Sequence, residues 1–293
     1  MGFVGRKARK GQVPDLVASY WTLAGGAYPH TDREYSKFDF RLRVEAAARV
    51  GFRGIGIWHA DLVHSLERYS LAQMKRILDD NGMRHVELEF LTDWFLDGER
   101  RIKSDATRRL LMDAAEAFEA HHIKVGDFYN TPCPMSRLID SFAALCAEAG
   151  RRGTGILFEL MPFATIHTLD DTLTLLNGVG ADNGGVILDL WHVVKLGIPY
   201  KHVRRIPLSF LQGVEINDGY LRNLPDFVDE TTNHRKLCGE GEFDIRGFIK
   251  VMLDHGYAGP WGIEVLNAEL RQWPLEKMVS RAYSTTSEQF SDF

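Results

Sequence analysis

Four acidic residues stand where apolar residues belong. Glu159 interrupts Ile156-Leu157-Phe158 and Leu160-Met161, Asp189 closes Val186-Ile187-Leu188, Glu215 lies between Val214 and Ile216, and Glu264 lies between Ile263 and Val265. A carboxylate taken alone out of water is costly enough that it pairs, takes up a proton or binds a metal. Singly, each of the four reads plainly as the partner of an Arg or Lys. Brought together they would repel one another, and a shared cation would relieve that repulsion. An all-oxygen donor set suits one Mn2+ or Mg2+ ion better than Zn2+, with Co2+ and Zn2+ as the remaining candidates. His192 follows Asp189 by three residues, a spacing that can return the imidazole to the same place for substrate contact or to support a ligand.

The elements that must position these groups alternate along the whole chain. Short apolar runs at Leu16–Trp21, Gly54–His59, His85–Phe90, Ile123–Asp127, Gly155–Met161, Gly185–Asp189, Gln212–Asn217 and Trp261–Leu266 are separated by amphipathic stretches. Ser70 caps a helical run that stops at Gly82, Ser104 opens one through Ala120, and Thr168 begins one that ends near Gly178 or Gly180. Eight strands alternating with helices lead to the expectation of a single α/β domain, a (β/α)8 TIM barrel. Its strands should be almost unbroken apolar runs. The four carboxylates fall toward the C-terminal ends of strands five to eight, which are contiguous in a barrel, so they should converge at its mouth. The connection from Asp218 to Glu242 is long for a βα loop and should cover that mouth.

Composition narrows the function. At 293 residues with 45% apolar and 26% charged residues, the chain can build one large core, and no apolar run approaches the roughly 20 residues of a membrane helix. No membrane association is expected. A net charge of −5 argues against a nucleic-acid surface and leaves a small carbohydrate-like molecule as the expected partner. Residues 1–14 carry Arg6, Lys7, Arg9 and Lys10 without an apolar segment behind them, and read as a flexible basic arm ahead of a barrel domain spanning 15–293 with a C-terminal helical tail. Three cysteines, Cys133, Cys146 and Cys238, lack ligand spacing and an even count, which fits a reducing cytoplasm.

At these residues the chain resembles the xylose-isomerase-like TIM-barrel superfamily of sugar phosphate isomerases and epimerases. That superfamily also includes inosose and dehydroshikimate dehydratases and endonuclease IV. The similarity spans nearly the whole chain and rests on FELMPF from Phe158, ILDLWH from Ile187, VEINDG from Val214, GEGEFD from Gly239 and GPWGIEVLN from Gly259, in that order. The resemblance implies one divalent metal held by Glu159, Asp189, Glu215 and Glu264. It departs from the pattern at strand seven, where Glu215 stands in place of a His or Gln. The extra negative charge would favour a harder cation or leave one carboxylate protonated. Epimerase members place a substrate-contacting His at the position of His192, and an Arg before the GEG loop corresponds to Arg235; Cys238 stands where Pro is common. A homo-oligomer is in keeping with family behaviour.

Further candidates for substrate contact are Trp58 and His59 at the end of strand two, Asn217 after strand seven, and Lys124 within strand four. Lys124 could neutralise the acidic cluster or hold an oxyanion. His59 reads equally as a rim residue bonded to a loop. The stretch from Glu87 makes strand three acidic, and its Trp94 could supply an apolar wall. The mechanism these residues imply is proton abstraction beside a carbonyl by Glu159 and Glu264, with His192 in support and the ion stabilising an enediolate. Reprotonation then gives isomerisation or epimerisation of a sugar, keto-sugar or polyol; loss of a β-substituent would make the chain a dehydratase or lyase. A non-catalytic sugar- or partner-binding barrel, a nuclease, and one subunit of a larger lyase are the rival readings.

Overall fold

The computed structural model describes residues 13–293, and the basic arm with Arg6, Lys7, Arg9 and Lys10 lies outside the described residues. Eight parallel strands close into a barrel in sequence order: β1 Leu16–Ala18, β2 Gly54–Trp58, β3 His85–Leu91, β4 His122–Val125, β5 Gly155–Glu159, β6 Gly184–Asp189, β7 Leu211–Ile216 and β8 Trp261–Ile263. β1 closes the ring by pairing with both β2 and β8, with Val17 opposite Gly54 on one side and Gly262 on the other. The expected TIM barrel is the observed architecture.

Helices wrap the outside because each buries one stripe. Met135–Arg151 turns Leu138, Phe142, Leu145, Cys146 and Ala149 inward, the spacing of one helical face. Leu71–Asp80 starts at Ser70 with a capping box, the Ser70 hydroxyl accepting from Gln73 N while the Gln73 side chain accepts from Ser70 N. Thr168 caps Leu169–Val179, which ends at Gly180 in the left-handed region. Ser104, in contrast, does not open a helix. The helix is Gly98–Phe118 with Asp97 at its cap, and the Ser104 hydroxyl, inside the helix, donates to Thr92 O. The terminal helix Leu275–Gln289 packs outside the barrel against Phe40–Val50, with Tyr283 near its C-terminal end against Phe52, and Phe290 just beyond it against Trp261. No helix among the described residues is long and apolar enough to cross a membrane.

Most apolar runs overshoot their strands. β1 stops at Ala18, and Tyr20–Leu23 forms a helical turn instead of strand, since Tyr20 N leaves the ladder to donate to Glu89 Oε1. β5 stops at Glu159, β8 at Ile263 and β4 at Val125. The residues beyond remain buried beneath the βα loops, so their apolar character continues after the sheet pairing has ended. Glu159 and Asp189 are therefore the last residues of their strands, Glu215 the penultimate one of β7, and Glu264 the first beyond β8.

Candidate active site

Residue parity turns alternate side chains of each strand into the barrel. Glu87 and Glu89 of β3, Lys124 of β4, Glu159 of β5 and Glu215 of β7 are all buried. Two glycines make the room: a Cβ on Gly56 would come within 2.3 Å of Glu89 Oε1, and one on Gly262 within 2.6 Å of Glu215 Cγ.

Lys124 is wholly buried, donating to Glu215 Oε1 at 2.8 Å and to Glu264 Oε1 at 3.5 Å, with Glu89 Oε2 3.3 Å away as an ion-pair partner. It neutralises the acidic cluster from below and does not line the cavity. The Ser19 hydroxyl lies 2.6 Å from Glu215 Oε1 and 3.1 Å from Glu87 Oε2, and with one proton it can donate to one of them at a time. Burial drives the carboxyls of Glu87 and Glu215 above their ordinary range against the pull of Lys124, and pushes Glu89 up to about 8.

Asp189 has the opposite environment. Its carboxylate caps the helix Leu190–Lys195, accepting from Trp191 N at 2.6 Å, and takes two further hydrogen bonds from Asn217 Nδ2 at 3.0 and 3.1 Å. Arg235 Nη1 bridges Asp189 Oδ2 at 2.8 Å and Glu264 Oε2 at 2.9 Å, while Nη2 donates to Thr231 Oγ1 and the guanidinium lies 5.0 Å over the Trp191 ring. Burial raises the Asp189 carboxyl, but Arg235, His192 and Asn217 outweigh it and hold the group below its usual range. Glu159 behaves alike: burial is overcome by Lys124 and by His192, whose Nε2 is 3.2 Å from Glu159 Oε1. In Glu264 burial wins over Lys124 and Arg235, and the carboxyl is raised.

One oxygen from each of Glu159, Asp189, Glu215 and Glu264 lies within 4.8 Å of the others, and Glu159, Asp189 and His192 make a second such group. Charge supports a cation here. Six buried carboxyl groups, those of Glu87, Glu89, Glu159, Asp189, Glu215 and Glu264, share two buried basic side chains, Lys124 and Arg235. The buried Oε2 atom of Glu215 also has no hydrogen-bond partner. The residues thus fit a hard divalent cation on carboxylate oxygen.

Above this floor opens a cavity of about 430 Å3, onto which Glu89, Glu159, His192, Arg235, Glu264 and Trp58 face. Its cover is the long connection after β7, where helix Phe227–Asn233 presents Val228, Thr231 and Thr232 to the cavity. That connection is pinned twice. Asp218 accepts from the backbone N–H of Gly219, Gly239, Gly241 and Phe243, and Lys195 Nζ pairs with Glu230 at 2.5 Å while donating to Tyr220 O.

Asn217 sits under the floor holding Asp189, and His59 opens helix His59–Leu66; neither lines the cavity. Burial lowers His59 to about 4, so its imidazole stays neutral. Trp94 is a core residue, donating to Gly126 O and packed on Phe95 and Phe142, so the apolar wall comes from elsewhere. It is built by Trp21, Trp58, Phe90, Phe128 and Phe163, contributed at or just beyond the ends of β1 to β5. Sequence reasoning named Trp58 but missed the rest of this wall, and Glu89 with it. The signal was an aromatic residue at the C-terminal end of each successive strand.

The family model described as xylose isomerase-like TIM barrel matches residues 44–284. A 3-dehydroshikimate dehydratase from Pseudomonas putida is 26% identical over 242 residues, covering 79% of this chain and 37% of that protein. The chain thus spans little more than a third of that relative's length. Among solved structures, the IolI protein with a bound zinc atom superposes with a TM-score of 0.78 at 17% identity, covering 95% of this chain and 99% of that one. A D-allulose 3-epimerase from Methylomonas sp. in complex with D-allulose gives 0.72 at 17% identity, covering 99% and 100%. At such identity the likeness is one of fold.

Proposed function

We propose that this chain, which belongs to the xylose isomerase-like TIM-barrel family, is a divalent-metal-dependent enzyme that removes the proton beside a carbonyl group of a small hydroxy-carbonyl compound. Returning that proton elsewhere would make it an isomerase or epimerase. The observation that carries the reading is the convergence of four buried carboxyl groups from β5 to β8, an oxygen of each lying within 4.8 Å of the others. Glu159, Asp189, Glu215 and Glu264 would hold the ion, Mn2+ or Mg2+ by their oxygen donors, with the zinc of the IolI protein keeping Zn2+ in view. Bound there, it would supply Lewis-acid polarisation of a substrate oxygen.

The chain's own groups divide the remaining work. Glu159 is the base, because Lys124 and His192 hold its carboxylate charged in a site that burial would otherwise protonate. Glu264, raised by burial, is the group that carries a proton back. His192 fixes the Glu159 carboxylate at 3.2 Å and faces the cavity, where it can donate to a substrate oxygen. Arg235 offers the same from the other side of the floor, braced by Trp191 and Thr231. The cover formed by Phe227–Asn233 keeps bulk water from the carbanion that proton removal would generate.

The 26% match to a dehydratase over 79% of the chain supports a second outcome from the same first step, loss of a hydroxyl β to the carbonyl. One experiment tests both: incubation of the Mn2+-loaded protein with neutral ketoses and cyclic hydroxyketones in D2O. Deuterium beside the carbonyl of recovered material supports isomerase or epimerase chemistry, and a new conjugated-carbonyl absorbance supports dehydration. Glu159→Gln and Glu264→Gln should each lower exchange by about 10^2 to 10^4-fold with the circular dichroism unchanged. Variants that retain exchange would remove these residues from their roles.

A further inference from the structure

The floor of the cavity accounts for a polar head group, but the walls are of a different kind. Trp58, Phe90 and Phe128 form a nearly parallel series, with centroids 6.1 Å apart at 16° and 5.0 Å apart at 19°. Trp21 continues it on one side, 5.0 Å from Trp58, and Phe163 on the other, 6.2 Å from Phe128. The Trp58 indole is fixed by its Nε1 donating to Glu34 Oε2 at 3.0 Å. A hydroxylated chain or a bare sugar ring would leave most of this surface in contact with water.

Charge selects as sharply as shape. Among the described residues lining the cavity, the lone Arg or Lys is Arg235, whose Nη1 and Nη2 donate to Asp189, Glu264 and Thr231 while its buried Nε has no partner. His192 turns its Nε2 to Glu159, and its buried Nδ1 has no partner. His30 stands exposed at the rim, where the neighbouring Glu34 carboxylate adds a negative charge and accepts from the His30 backbone N–H. Between rim and floor the walls offer a phosphate or carboxylate no Lys and no Arg besides Arg235, and the rim meets it with the Glu34 carboxylate. At about 430 Å3 the cavity falls within the roughly 300–1,000 Å3 of sites that enclose ligands of drug size, enough for a head group and a second planar ring.

We infer that the substrate is an uncharged cyclic hydroxy-carbonyl compound bearing a planar apolar portion, which lies against Trp58, Phe90 and Phe128 while the head group reaches the carboxylate floor. The inference rests on the reading above for its head group and on the wall alone for its tail. The wall thereby sets specificity.

Calorimetric titration of the Mn2+-loaded full chain with phenyl β-D-glucopyranoside, methyl β-D-glucopyranoside and D-glucose 6-phosphate tests it. The phenyl glucoside should bind at least about tenfold more tightly than the methyl glucoside, from its ring against the aromatic faces. The phosphate ester should bind no more tightly than the methyl glucoside. Phe128→Ala should narrow the phenyl preference several-fold and leave methyl glucoside binding where it was. Equal affinity for the two glucosides, no heat from the phenyl glucoside at millimolar concentration, or tightest binding of the phosphate ester would overturn the inference. The metal content of the same samples separates the two claims: full metal without phenyl preference sinks the inference alone, and phenyl preference in a protein that takes up no metal sinks the proposed function alone.

Discussion

Replacing Lys124 by Met tests the electrostatic construction of the site. The ammonium is completely buried, 2.8 Å from Glu215, 3.3 Å from Glu89 and 3.5 Å from Glu264, and the thioether has nearly its shape without its charge. Removing one partner from a buried pair costs about 3–5 kcal/mol, because the other partner is left charged and uncompensated. Against a typical total of about 5–15 kcal/mol the variant should still fold. The loss should depend on pH. A stranded carboxylate keeps its proton in the folded chain but releases it when unfolded above about 4.5, so stability falls by about 1.4 kcal/mol per pH unit for each such group. Urea unfolding of metal-free protein followed by circular dichroism should show the full deficit at pH 8 and a smaller one at pH 5.5. The double variant Lys124→Met with Glu215→Gln should recover part of it. A deficit below about 1 kcal/mol at pH 8, or one equal at both pH values, would refute the reasoning.

Two further outcomes follow from the same network. Glu89, pushed up to about 8 by burial, keeps its proton in the folded chain while the unfolded chain loses it near 4.5; metal-free wild type should therefore lose on the order of a few kcal/mol between pH 5 and pH 8 in urea titrations. Glu89→Gln, which has no proton to release, should flatten that slope. Lys195→Met removes the buried pin on Glu230 and the bond to Tyr220 O, and should raise hydrogen exchange across residues 219–233 by tenfold or more with the barrel strands unaffected.

Much of this organisation was legible from the chain. Eight apolar runs marked eight strands, and the four acidic residues inside the last four marked a common site. What escaped is physical in origin. Sheet pairing ends at Ala18, Val125 and Ile263, but burial under the loops does not, so apolar pattern alone extends each strand. Ser104 has the chemistry of a helix cap, yet its hydroxyl finds Thr92 O from within the helix. Trp94 and Trp58 are the same residue type near strand ends, and only the fold puts one in the core and the other on the cavity. Lys124 offered two readings; it lies 2.8 Å from Glu215 and does not line the cavity.

The central claim is that four carboxylates share a divalent ion, and elemental analysis of protein purified without chelator tests it most directly. Wild type should carry about one Mn, Mg, Co or Zn per chain, and Asp189→Asn should lose it while keeping its circular dichroism. Metal-free wild type, or an Asp189→Asn variant that retains its metal, would contradict the account.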